Sequence, residues 1–176
     1  YAKAKSLVDN FFWNTFCDYY LEIIKERIYN PDVHGEDAKR SAQYTLHYAL
    51  ETILKLFAPI MQFITEEIYS YAYAKKNESI HISKWPVFDE TLLNDDAEQA
   101  GDLVVELIDA ARKKKSENAV SLRTPIIKMI IECSKEDQEA LQTIEADLKA
   151  ATKAMHIGYG TGVDELREGL RVSIEL

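Results

Sequence analysis

Long stretches of helical periodicity, separated by short polar breaks, dominate the first two thirds of the chain. From Ala2 to about Ile28, the residues Leu7, Val8, Phe11, Phe12, Phe16, Tyr20, Ile23 and Ile24 recur at the i, i+3, i+4, i+7 spacing of an amphipathic helix. Asn30-Pro31 ends it, because a residue before proline is driven out of the helical region, and residues 30–36 read as a polar turn around Gly35. A second helix is predicted over 36–57 through Ala42, Leu46, Ala49, Leu50, Ile53, Leu54 and Phe57. Proline inside a helix costs about 3 kcal/mol but suits a first turn, so Pro59 is predicted to open a third helix running to about Ala74. Its core-facing stripe is Ile60, Phe63, Ile64, Ile68, Tyr71 and Ala72, so Ile64→Asp is expected to unfold the domain and Pro59→Ala to be mild. Lys75-Lys76-Asn77-Glu78 reads as a polar exit and Ser79 to Pro86 as an extended segment pinned by Trp85. A fourth helix starts near Asn94-Asp95-Asp96, which offer capping oxygens and negative charge. It continues through Ala100, Val104, Leu107, Ile108 and Ala111 to about Lys115.

After residue 118 the pattern changes. Ile126 to Glu132 is a short isoleucine-rich run, better as a buried strand than as a helix. Ser134 can cap a helix carrying Leu141, Ile144, Leu148 and Ala151, with Asp137 completing a near capping box. Gly158, Gly160 and Gly162 then break the chain, and the alternation of Leu170, Val172, Ile174 and Leu176 marks a half-buried strand. The expected architecture is mainly α: a four-helix bundle over 1–118, then a small α/β module over 119–176, with a hinge over 116–125.

A hydrophobic fraction of 47% supports a proper core, and no apolar run approaches the roughly 18 residues of a membrane span. No secretory leader opens the chain, which begins at Tyr1 inside helical periodicity and so reads as a piece of a longer polypeptide. Cys17 and Cys133 stand far apart, and with four scattered histidines they offer no metal-ligand spacing. A reducing, cytoplasmic compartment fits that usage. The net charge of −9 means that a nucleic-acid partner would need the lysines and arginines gathered on one face.

Phe16-Cys17-Asp18-Tyr19-Tyr20-Leu21-Glu22 resembles the aromatic helix opening the anticodon-binding domain of valyl-tRNA synthetases. Ala58-Pro59-Ile60-Met61-Gln62-Phe63-Ile64-Thr65-Glu66-Glu67-Ile68-Tyr69 resembles the proline-started helix that follows, and Ser83-Lys84-Trp85-Pro86 comes in the same order. The resemblance covers about residues 5–125. It implies the helical bundle of class I synthetases, a valine-type tRNA as partner and an upstream catalytic domain in the same polypeptide. ATP and magnesium would belong to that absent domain; no cofactor, metal, membrane or DNA partner is expected for this stretch. Isoleucyl and leucyl synthetases share the bundle and are rivals, as is a protein-interaction bundle without an RNA role. Met155-His156-Ile157-Gly158-Tyr159 shares three residues with the His-Ile-Gly-His motif of these enzymes, but it follows a helix near the end of the chain and reads as coincidence. No catalytic residues are expected.

Arg112-Lys113-Lys114-Lys115, followed by Arg123, is the densest positive patch, with Lys25 and Arg27 as a possible extension. It fits phosphate contact to an anticodon stem and equally a solvated helix end stabilised by its dipole. Trp13 and Tyr19 depart from the apolar stripe, and an exposed aromatic can stack an unpaired loop base. Packing against the upstream domain explains Trp13 as well. Asp18 fits either the same surface or a buried, paired acid. Glu66 and Glu67 are neighbours pointing about 100° apart, not an acid/base pair.

Overall fold

The structure, a computed structural model, describes residues 2–73 and 78–176, and Ala2 to Tyr29 are helical, with one change of hydrogen bonding on the way. Helix α1 (Ala2–Asn10) passes into a π-helical segment, Phe11–Tyr20, and then into α2 (Leu21–Tyr29). In the π-helical segment bonds span five residues, as where the Leu21 N–H donates to the Phe16 carbonyl. Such geometry is ordinarily confined to a single turn. Here it coincides with the aromatic run, whose rings form a ladder: Phe12 stacks on Phe16 at 6.5 Å and Phe16 on Tyr20 at 5.7 Å. The ladder meets the rest of the fold through Phe57, edge-on to Phe12 at 6.0 Å. Phe16, Ile53 and Phe57 form the buried centre of this cluster.

The expected polar turn at 30–36 contains one helical turn, α3 (Pro31–His34), because Pro31 stands at a first helical position. Gly35, with φ of 89°, leads into α4 (Glu36–Phe57), which has the predicted bounds. Pro59 does not open the next helix. The Ile60 and Met61 N–H groups both donate to the Phe57 carbonyl in a tight turn, and α5 (Gln62–Ala72) starts after it. The facing of α5 also differs from expectation: Thr65 and Tyr69 are its buried residues, while Ile60, Phe63, Ile64, Ile68 and Tyr71 are exposed. Thr65 can turn inward because its hydroxyl donates to the Met61 carbonyl at 2.9 Å. A second buried cluster joins Leu54, Ala58, Tyr69 and Ile80. Glu66 secures it, its carboxylate accepting from the Ser79 hydroxyl and the Ile80 N–H, each at 2.9 Å. The segment predicted as extended therefore makes a 3-10 turn at Ile80–Ile82, pinned by Ile80, while Trp85 is exposed. The predicted end of the third helix at Ala74, and Lys75, Lys76 and Asn77 of the polar exit, lie outside the described residues.

The chain divides into two compact units, one ending at Thr91 and the other Leu92–Leu176. The second contains α6 (Asp95–Glu117), which the sequence pattern had grouped with the bundle, and the expected hinge at 116–125. Asn94 caps α6 as predicted, accepting from the Ala97 N–H at 2.9 Å. Then follow β1 (Ile126–Glu132), α7 (Lys135–Thr143), α8 (Glu145–Thr152), β2 (Ala154–Tyr159), β3 (Asp164–Arg167) and β4 (Leu170–Glu175). Ser134 caps α7, accepting from the Asp137 N–H at 3.0 Å, and the single helix expected here divides at Ile144. The sheet has the order β2-β1-β4-β3, with β1 parallel to β2 and antiparallel to β4. Helix α6 packs on α7, α8 and β4, and Leu107, Ile126, Met129, Ile131, Leu141, Leu148 and Leu170 are wholly buried between these elements. Gly162 is required where it stands, since a Cβ there would lie 2.7 Å from the Arg171 backbone. The first part is thus helical and the second closes on a small four-stranded sheet, as the fold class implied.

Candidate nucleic-acid interface

The aromatic candidates, with Lys25 and Arg27, lie in the first unit, and the densest basic run lies in the second. In the first unit the π-helical segment presents Trp13 outward, 59% exposed and edge-on to Phe12 at 4.9 Å. Tyr19 is half-buried and Asp18 exposed, which removes the buried-acid reading of Asp18. Lys25 is exposed beside Glu22, with which it pairs, and Arg27 is half-buried. The same unit carries two aromatics that the sequence reading omits. Tyr44 and Tyr48 stand one turn apart on the exposed side of α4, beyond Arg40. The signal was present: aromatic residues at i and i+4 on the polar side of an amphipathic helix have no core to fill. Flat rings held in the open are suited to stacking unpaired bases.

In the second unit the last turns of α6 carry the basic run. Lys113 and Arg123 are exposed, Arg112 lies 3.9 Å from Asp109, and Lys114 lies 4.0 Å from Asp164. Lys115 must be removed from the set. It is 2% exposed, and its ammonium donates to the carbonyls of Leu122 and Thr152, both at 2.9 Å. Burial, reinforced by the Lys153 charge, holds its pKa below the usual lysine value. The side chain clasps residues 118–125 to the end of α8, and no phosphate can reach it. The remaining basic positions form a helix end with cations at its negative pole.

Burial raises the thiols of both Cys17 and Cys133, so neither favours the reactive thiolate. Among the described residues no group of three or more His, Cys, Asp or Glu could hold a metal ion, and no helix is long and apolar enough to cross a membrane. What the surfaces offer is recognition: exposed rings in one unit and a cationic helix end in the other.

The family model for the anticodon-binding domain of tRNA ligase matches residues 1–132, which includes the aromatic ladder, α4, α5 and the basic end of α6. The chain belongs to this family. Among its relatives, the valine–tRNA ligase of Ehrlichia ruminantium is 40% identical over 158 residues, covering 89% of this chain and 19% of the relative. That of Cutibacterium acnes is 37% identical over 166 residues, covering 94% and 18%, and that of Orientia tsutsugamushi 33% identical over 184 residues, covering 100% and 21%. The chain therefore spans about a fifth of the length of the curated relatives it matches. This anticodon-binding domain carries its family match through α6 into β1, and the rest of the sheet lies beyond it.

Proposed function

We propose that the chain recognises the anticodon stem-loop of a valine tRNA as part of a valine–tRNA ligase. The catalytic domain, with its ATP and magnesium, would lie elsewhere in the same cytoplasmic polypeptide. The observation that carries the reading is the family match over residues 1–132, together with valine–tRNA ligases as relatives along most of the chain. Within it, Arg112, Lys113, Lys114 and Arg123 meet stem phosphates, with Lys25 and Arg27 as lesser contributors, while Trp13 and Tyr19 face unstacked loop bases. Phosphates fix position and bases specify sequence, so the two groups have separable signatures.

Gel-shift titration of valine, isoleucine and leucine tRNA transcripts is the test. Tighter binding of the valine tRNA is expected, and equal or absent binding of all three would exclude the reading. Replacing Arg112, Lys113 and Arg123 by alanine should weaken every tRNA alike, reducing the slope of log affinity against log salt by about 0.7–0.9 per lost contact. Trp13→Ala should instead narrow the gap between valine tRNA and its anticodon variants.

A further inference from the structure

Helix α5 has its amphipathic pattern turned outward. Ile64, Ile68 and Tyr71 fall on one face at the spacing of a core stripe, with Phe63 beside them. Yet Phe63 is 91% and Tyr71 95% exposed, and Ile64 is 52% exposed, while the helix is anchored by its other side through Thr65, Tyr69 and the Glu66 carboxylate. The hydrogen bonds of the Glu66 carboxylate to Ser79 and Ile80 fix the rotation of α5, so the apolar face cannot turn inward without breaking them. Apolar side chains gathered on one helical face, rather than scattered singly, mark an interaction surface.

Charge and area select the occupant. From Ala58 to Tyr73 the charged residues are Glu66 and Glu67, with no lysine or arginine, so a polyanion such as RNA gains nothing there. Eleven residues make a strip about 16 Å long and about 10 Å wide, on the order of 160 Å², against about 800 Å² per partner for a stable association of free molecules. A patch that small suffices when the partner is tethered, because linkage supplies a high effective concentration. The relatives are about five times as long as this chain, so a covalently linked partner is at hand. We propose that the exposed face of α5 is where this unit docks on the remaining part of its ligase polypeptide; the proposal rests on the ligase reading above.

Thiol labelling tests it. Phe63→Cys and Tyr71→Cys are each introduced into the 176-residue chain and into the full-length parent polypeptide, with Val33→Cys, exposed on α3, as control. Maleimide labelling rates are read site by site by peptide mass spectrometry, which separates them from Cys17 and Cys133. We expect positions 63 and 71 to react as free thiols in the short chain and at least ten-fold more slowly in the full-length polypeptide, with position 33 unchanged. Equal rates in both would overturn the proposal. So would slowing that appears in the short chain, by self-association if it grows with concentration or by cover from its own second unit if it does not. Slowing that requires added tRNA would assign the face to RNA instead. Valine charging by the same full-length polypeptide is measured separately: charging without slowing overturns the docking face alone, and slowing without charging overturns the ligase reading alone.

Discussion

The two compact units of this chain bury their apolar side chains to different degrees. In the second, Leu107, Met129, Ile131, Leu141, Leu148 and Leu170 are wholly shielded between α6, α7, α8 and the sheet. In the first, Thr65 is the one residue among the large, fully buried described side chains, and it is polar. In the same unit Phe63, Tyr71, Ile82, Val87 and Phe88 face solvent. Each large apolar side chain fully buried contributes about 1.5–3 kcal/mol before entropy is counted. The second unit has collected that contribution and the first has left much of it uncollected. A sheet with helices on one face closes on itself, whereas helices joined by tight turns can leave a stripe outside.

The largest expected effect comes from exchanging one residue in each region. Leu107→Ala should cost about 2–5 kcal/mol in urea unfolding of the chain, because a filled core cannot collapse around the loss. Ile64→Asp should change stability by no more than about 0.5 kcal/mol, as surface substitutions do, despite its place in an apolar stripe. Comparable costs for the two would erase the contrast between the units.

A middle-sized effect is expected at Lys115. Lys115→Met leaves the buried Thr152 carbonyl and the part-buried Leu122 carbonyl without their donor and should cost about 1–3 kcal/mol, without altering the salt dependence of tRNA binding. A changed salt slope would return Lys115 to the phosphate-binding set.

The smallest effect concerns Tyr159, whose hydroxyl is buried beside the Glu145 carboxylate. Burial, then the negative charge of Glu145, pushes its pKa from 10.0 up to about 12. The fold favours the protonated phenol, so its contribution is full below pH 10 and is lost as the pH rises towards 12. Tyr159→Phe should flatten the alkaline fall in melting temperature over that window; an unchanged slope would place the cause elsewhere.

Legibility of the sequence followed the same division between local and distant causes. The bounds of α4 and β1 and the caps at Asn94 and Ser134 were readable because each is decided by neighbours in the chain. The facing of α5 was not. Periodicity marks a stripe but does not say what covers it, and only the contacts of Glu66 to Ser79 and Ile80 choose the side that turns inward. A strand before the glycine turn was expected without bounds, because His156 and Gly158 lead straight into that turn; parallel pairing to β1 carries β2 through Gly158 to Tyr159. Lys115 looked like one more cation in a run, and its burial depends on carbonyls 7 and 37 residues further along. Of the candidate interface, Trp13 was legible as a residue outside the stripe; Tyr44 and Tyr48 could have been found by the same criterion.

The π-helical segment sets a phase. A bond spanning five residues encloses one residue more than an α-turn, so Phe11–Tyr20 fixes how the faces of α1 and α2 are rotated about their common axis. Reverting it to ordinary α geometry would turn α2 by about 100° for each residue of register regained. Buried Ile24 would swing to the exposed direction that Lys25 now takes, and Ile23 would move into its place. A change that restores α geometry without removing a residue would therefore be felt chiefly downstream, as a misaimed helix rather than a missing side chain.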